Sequence, residues 1–84
     1  MKHPTIHLNG TSAKDLYEQY SSAIDAIRNA ESKLAEAYPN GRDYYVQGPG
    51  AIIEATDEHR SRLLRLASVR EELEQLIEPI ADRL

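Results

Sequence analysis

Residues 39–50, PNGRDYYVQGPG, carry the side chains of this sequence that are best suited to hold a small ligand. Glycines in such a segment let the backbone approach a ligand closely, and successive N–H groups in turns can form an anion-binding nest. Arg42 has a planar fork that fits phosphate, and Tyr44 and Tyr45 offer ring faces for a nucleobase and hydroxyls for ribose or phosphate. With Asn40 and Gly41 shaping the turn, the segment predicts a site for an anionic, nucleotide-like ligand.

The same loop also has a purely structural interpretation. Two tyrosines can plug the end of a helical bundle while Arg42 and Asp43 form local hydrogen bonds in the turn. Compact loops rich in Gly, Pro and Tyr often pack on their own side chains in this way. From the sequence alone, both interpretations stay open.

A second motif, HLNGTS at residues 7–12, precedes a predicted helix. The free N–H groups and positive partial charge of a helix N-terminus favour anions, and His7, Asn9, Thr11 and Lys14 could assist in binding one. The alternative is a plain turn followed by helix capping.

Other chemistry has little support in the residue types present. The chain has no cysteine, which excludes disulfides and thiolate metal sites. His59 has acidic neighbours but lacks the Glu-to-His spacing of di-iron bundles, and Ser21 and Ser22 have no neighbouring histidine to act as a base. We therefore predict no catalytic residue, no metal, no cofactor and no enzymatic activity.

Charge and hydropathy restrict the partners. The net charge is −4, with 14 acidic and 10 basic residues, which argues against a nucleic-acid polymer as the partner. The arginines of residues 59–70 are scattered around the helix and do not form one basic face. No run of about 18 apolar residues and no signal peptide is present, so we expect no membrane partner and a cytoplasmic location.

The hydrophobic pattern predicts a single all-α domain over residues 1–84. It consists of an extended arm (1–10), a helix (12–38) capped by Ser12 or Thr11, a structured loop of 12 residues (39–50), and a second helix (51–84). Pro79 should kink or end that second helix.

Apolar residues at spacings of three and four form a seam on each helix. The first seam is Leu16, Tyr20, Ala23, Ile27, Ala30, Leu34 and Ala37, and the second runs from Ile52 through Leu63 and Arg70 to Leu84. Joined at one end, the helices must run antiparallel. We expect Tyr20 opposite Arg70, Ile27 opposite Leu63, and an excess of the second helix that Ile6 and Leu8 cover near Ile77 and Ile80.

A bare hairpin has one layer too few to close a core. Leu64, Val69 and Leu76 lie outside the seam and indicate a second neighbour. We therefore predict a homo-oligomeric helical bundle, a dimer or larger. The two motifs are separated by roughly 40 Å of helix, but in an antiparallel dimer the loop of one chain meets the arm of the other, which would create a composite site.

The segments TIHLNGTSAKDL and PNGRDYYVQGPGA resemble a group of small proteins encoded by phages and prophages of proteobacteria. Phages also encode short oligomeric helical proteins, the sponges against CBASS and Thoeris defence, which bind cyclic nucleotides or cyclic ADP-ribose-type signals between subunits. The chain is similar to these sponges in size and inferred assembly, by analogy only.

Three functions follow as hypotheses. The first is a non-enzymatic sponge that sequesters a nucleotide-type host immune signal in the host cytoplasm. The second is a helical protein–protein interaction module or inhibitor, in which the loop is only structural. The third is a virion or assembly component.

Overall fold

The computed structural model describes all 84 residues, and its two long helices pack against each other as a hairpin. Helix α1 is Ala13–Glu36 and helix α2 is Ala51–Ala81. Two single turns of 3₁₀ helix, Gly41–Asp43 and Tyr45–Gln47, lie in the connection. The chain contains no strand, so the all-helical fold predicted from the hydrophobic pattern is confirmed.

Helix α1 begins and ends at local signals in the sequence. Ser12, and not Thr11, is the N-cap, because Ser12 Oγ accepts a hydrogen bond from the Asp15 N–H at 3.1 Å. At the other end the Ala37 N–H donates to the carbonyl oxygens of Lys33 and Leu34, at 3.2 and 3.1 Å. Pro39 follows and prevents a further helical turn.

Shortly before helix α2 the backbone adopts a conformation that favours glycine. Gly48 has φ +108° and ψ 167°, a backbone region that is strained for any other residue. The helix then continues through Pro79 and ends at Ala81, three residues before the predicted end. Since Pro79 has no N–H to donate, the last turn is weakened, and the helix stops two residues later.

Three side-chain contacts fix the direction and register of the helices. Nε2 of His59 lies 2.7 Å from the carbonyl oxygen of Leu34. Arg70 donates to both carboxylate oxygens of Glu31, at 2.6 and 3.3 Å. Arg28 donates to Glu74 at 3.2 Å. Residue numbers fall along α1 as they rise along α2, so the helices are antiparallel.

The predicted register was wrong. Arg70 contacts Glu31 and not the expected partner, Tyr20. A seam of threes and fours repeats along each helix, so the pattern alone is compatible with several registers. The half-buried ion pair and the connection, which runs beside the first turns of α2, select one of them.

The face that α1 turns towards α2 also differs from the predicted seam. Ile24, expected at the edge of the stripe, is buried, whereas Ala30 and Ala37 of the seam are exposed. Glu31 lies two turns after Ile24 on the same side of α1 and pairs with Arg70 of α2. On the other apolar side of α1, Ala23, Ile27 and Leu34 are half-buried.

The N-terminal arm covers the end of α2 only in part. Ile6 is half-buried and lines a cavity with Ile80, which is 3% exposed. Leu8 was expected to share this role, but it is 98% exposed because it lies in the turn between His7 and Gly10.

We define the open face as an apolar side of the hairpin that its own chain covers only in part. Leu34, Leu66 and Val69 line one shallow groove there, together with Arg62 and Arg65. Helical spacing extends the face to eight residues: Ala23, Ile27, Ala30, Leu34, Leu66, Val69, Leu73 and Leu76. Ala30 and Val69 are exposed, and the other six are half-buried. Arg28 and Glu74 lie on the other side of the contact between the helices.

The hairpin alone has a very small core. Ile24, His59 and Ile80 are the buried residues. The molecule measures 61 × 21 × 17 Å, with a radius of gyration of 18.6 Å, against about 12 Å for a compact domain of this length. Neither helix is long and apolar enough to cross a membrane.

Candidate functional site

A cleft of about 570 Å³ opens where the end of α1, the connection and the first turns of α2 meet. The connection positions its side chains through a chain of tight turns. Asn40 Oδ1 accepts from the Arg42 N–H at 3.0 Å, which caps the first 3₁₀ turn. Tyr44 is half-buried and, with Asn40, lines the cleft.

His59 forms the floor of the cleft together with Tyr38. The His59 ring is 4% exposed, and its centroid lies 5.3 Å from that of Tyr38 in an edge-on arrangement. Because a carbonyl oxygen can only accept, the Nε2 atom that faces Leu34 carries the proton.

Carboxylates dominate the charge of the cleft. Asp43, Glu54 and Glu58 line it, and Arg62 is the basic residue among them. Arg62 Nη2 lies 3.5 Å from a carboxylate oxygen of Glu58, so its charge is already partly balanced. A ligand with phosphates would need additional cations from outside this chain's cleft.

The loop residues chosen from the sequence separate into two groups. Asn40 and Tyr44 line the cleft, whereas Arg42 and Tyr45 are exposed outside it, and Gly41 has open space around it. Arg42 forms no ion pair with a carboxylate of the chain. Its guanidinium is therefore available to a partner or a ligand, but not inside this cleft.

Most backbone N–H groups that could form the anion-binding nest expected in the loop already donate hydrogen bonds within the loop. These are the N–H groups of Arg42, Asp43, Tyr44, Gln47 and Gly48. The loop is thus held together by its own hydrogen bonds.

The residues of the second motif lie together at the opposite end of the molecule. His7, Asn9, Thr11 and Lys14 are all exposed. The Gly10 N–H donates to the His7 carbonyl at 3.1 Å, and a Cβ on Gly10 would come within 2.7 Å of His7 Nε2. Within one chain these residues do not meet the loop.

A third feature is the ion-pair cluster between the helices. The hydrogen bonds that Arg70 donates to Glu31, and then the one that it donates to Glu74, raise the pKa of Arg70. Its guanidinium therefore stays charged, and both carboxylates are committed to it or to Arg28. We assign this cluster a structural role.

That His59, Glu54 and Arg62 line the cleft was not predicted from the sequence. Glu54 and Glu58 lie one helical turn apart, and Arg62 follows at the same interval, so these three residues share one face of α2. That spacing was the available signal. Comparisons with protein-family models, with characterised proteins and with solved structures find no match to this chain.

Proposed function

We propose that this chain is a non-enzymatic interaction module that acts by packing its open face against another protein. The observation that carries the proposal is the set of eight apolar side chains on one side of the hairpin, two of them exposed and six half-buried. Contiguous apolar surface of this kind is typical of protein interaction sites.

The surface area supports the same proposal. The chain exposes 6203 Å², whereas a compact monomer of its mass exposes roughly 5,000 Å². The difference of roughly 1,200 Å² is larger than the area of about 800 Å² that one partner buries in a standard interface.

The experiment compares two apolar-to-acidic substitutions on α2. Val69 lies in the groove of the open face, whereas Leu64 is 64% exposed on another side of the helix. The wild-type chain and the two variants, each with an affinity tag, are cross-linked inside the cells that produce them. The proteins bound to each tagged chain are then quantified by mass spectrometry. A partner retained by Leu64→Glu and lost by Val69→Glu supports the proposal, and equal recovery by both variants contradicts it.

A second candidate function is supported by the cleft. Its volume of about 570 Å³ is in the usual range for small-molecule sites, and Tyr38 and Tyr44 offer rings for stacking. We propose, as the second candidate, a sponge in the host cytoplasm that sequesters a nucleotide-type immune signal as a phage counter-defence. His7 and Lys14 from another copy would supply the cations that the cleft lacks, and Arg42, exposed outside the cleft, would contact the part of the ligand that extends beyond it.

A thermal-shift panel tests this candidate. The compounds are cyclic di- and trinucleotides, ADP-ribose and its cyclic isomers, and NAD. A ligand at 100 times its dissociation constant stabilises the protein by about 2.7 kcal/mol. A shift that is lost in Tyr44→Ala and reduced in Arg42→Ala supports the sponge. A shift that is unchanged in both variants, or no shift for any compound, rejects this site.

A further inference from the structure

We infer that a second copy of the chain covers the open face in an antiparallel arrangement, so that the arm of each copy, residues 1–7, lies in the cleft of the other. This inference rests on the proposed interaction function of the open face. It names the partner, its orientation and a composite site that neither chain forms alone.

The two ends of the molecule have complementary charges, which favours an antiparallel partner. The cleft carries the carboxylates of Asp43, Glu54 and Glu58 with a single arginine. Residues 1–11 carry Lys2, His3 and His7 and no acidic residue. An antiparallel partner brings the basic arm to the acidic cleft at both ends of the assembly, whereas a parallel partner places the two acidic clefts at the same end.

The arm makes few contacts with its own chain. Residues 1–6 make no hydrogen bond with any other part of the molecule, whether through backbone or side chain. Their one attachment is the cavity of about 550 Å³ that they line with Pro79, Ile80 and Arg83. Unpaired backbone groups in an extended segment are available to another chain.

The distance along α2 between the cleft and the arm also fits an antiparallel partner. The cleft reaches along α2 as far as Arg62, and the arm lies beside Pro79. These two residues are about 26 Å apart along the helix. An antiparallel partner that places the arm over the cleft must have its two-fold axis halfway between them, near Arg70. The α2 part of the open face, Leu66 to Leu76, is centred at the same height.

The area is sufficient for such a dimer. The chain exposes roughly 1,200 Å² more than a compact monomer of its mass, and one partner in a standard interface buries about 800 Å². The open face also combines small side chains on α1, Ala23 and Ala30, with larger ones on α2. Small residues allow two helices to approach closely.

The first experiment measures the oligomeric state of the full chain by sedimentation velocity over a range of concentrations. We expect a species of twice the 9.5 kDa chain mass. Val69→Glu should raise the dimer dissociation constant roughly 30-fold or more, since it places two carboxylates close to the two-fold axis. Leu64→Glu, outside the face, should leave it unchanged. A wild-type chain that stays monomeric overturns the inference.

The second experiment tests the orientation. The chain has no cysteine, so single cysteines can be introduced as Lys2→Cys in one tagged copy and Glu54→Cys in another. We expect a disulfide between the two different copies, lost when both also carry Val69→Glu. A dimer that instead links Glu54→Cys to Glu54→Cys is parallel and overturns the inference.

These outcomes are separable from those that test the proposed function. Suppose that the wild-type chain is monomeric and that Val69→Glu still loses a cellular partner. This result would show that the partner is not a second copy, but it would still support the interaction module. If Val69→Glu changes neither self-association nor recovery of partners, both proposals fail.

Discussion

His59 of α2 donates a hydrogen bond from Nε2 to the carbonyl oxygen of Leu34 in α1, over 2.7 Å. The bond joins the last turns of α1 to the helix that lines the cleft, and it is shielded by the Tyr38 ring. Leu34 O also accepts from the Ala37 N–H at 3.1 Å. The Leu34 carbonyl thus accepts one hydrogen bond from the C-cap of its own helix and one from the floor of the cleft.

Replacing His59 by leucine should lower the free energy of unfolding by about 1–2 kcal/mol, because the donor is lost while the carbonyl keeps one partner. Chemical denaturation at one fixed protein concentration measures the change. His3→Leu, at an exposed position, is the matched control and should have little effect. Nitrogen-15 NMR should detect the proton on Nε2, and a proton on Nδ1 alone would contradict the assigned bond.

Ile80 should be among the most sensitive apolar positions. It is nearly completely buried, and Ile80→Ala should cost about 2–4 kcal/mol in unfolding free energy. Ile53→Ala removes the same atoms from an exposed position and should cost less than about 0.5 kcal/mol. Equal costs at the two positions would show that the arm does not pack on the end of α2.

The register can be tested by exchanging the charges of Glu31 and Arg70. Glu31→Arg and Arg70→Glu should each lower the thermal unfolding midpoint, because each brings like charges together between the helices. The double variant should recover most of the loss. The matched comparison is Tyr20→Arg with Arg70→Glu, which should show no recovery. Recovery there instead would restore the register expected from the seams.

Two glycines of the connection should respond differently to alanine. Gly48→Ala should destabilise the protein by about 1–3 kcal/mol, since φ +108° is strained for a residue with a Cβ. Gly50 has φ −83° and open space around it. Gly50→Ala should therefore be neutral or stabilise by up to about 1 kcal/mol. Similar losses at both sites would mean that chain flexibility, and not the Gly48 conformation, matters.

Much of the local structure could be predicted from the sequence. The capping serine, the Pro39 stop and the turn at Asn9-Gly10 depend on neighbouring residues, and these signals marked the helix start and the turn correctly. The helices themselves follow from apolar spacing. Such features need no knowledge of the partner helix.

The register and the loop site could not be predicted in the same way. A repeating seam does not specify which repeat faces which, so Arg70 was paired with Tyr20 and not with Glu31. Residue types in the loop indicated ligand chemistry, but the turns consume their own N–H groups and turn Arg42 away from the cleft. Both depend on long-range geometry.

The antiparallel hairpin has a kinetic consequence. Its helices are joined by one short connection, and its contacts increase steadily in sequence separation from that connection outwards. Chains of low contact order fold in microseconds to milliseconds. In the inferred dimer, the encounter of two copies is a second-order event, so refolding should show a fast phase that is independent of concentration. A slower phase should then accelerate in proportion to the protein present.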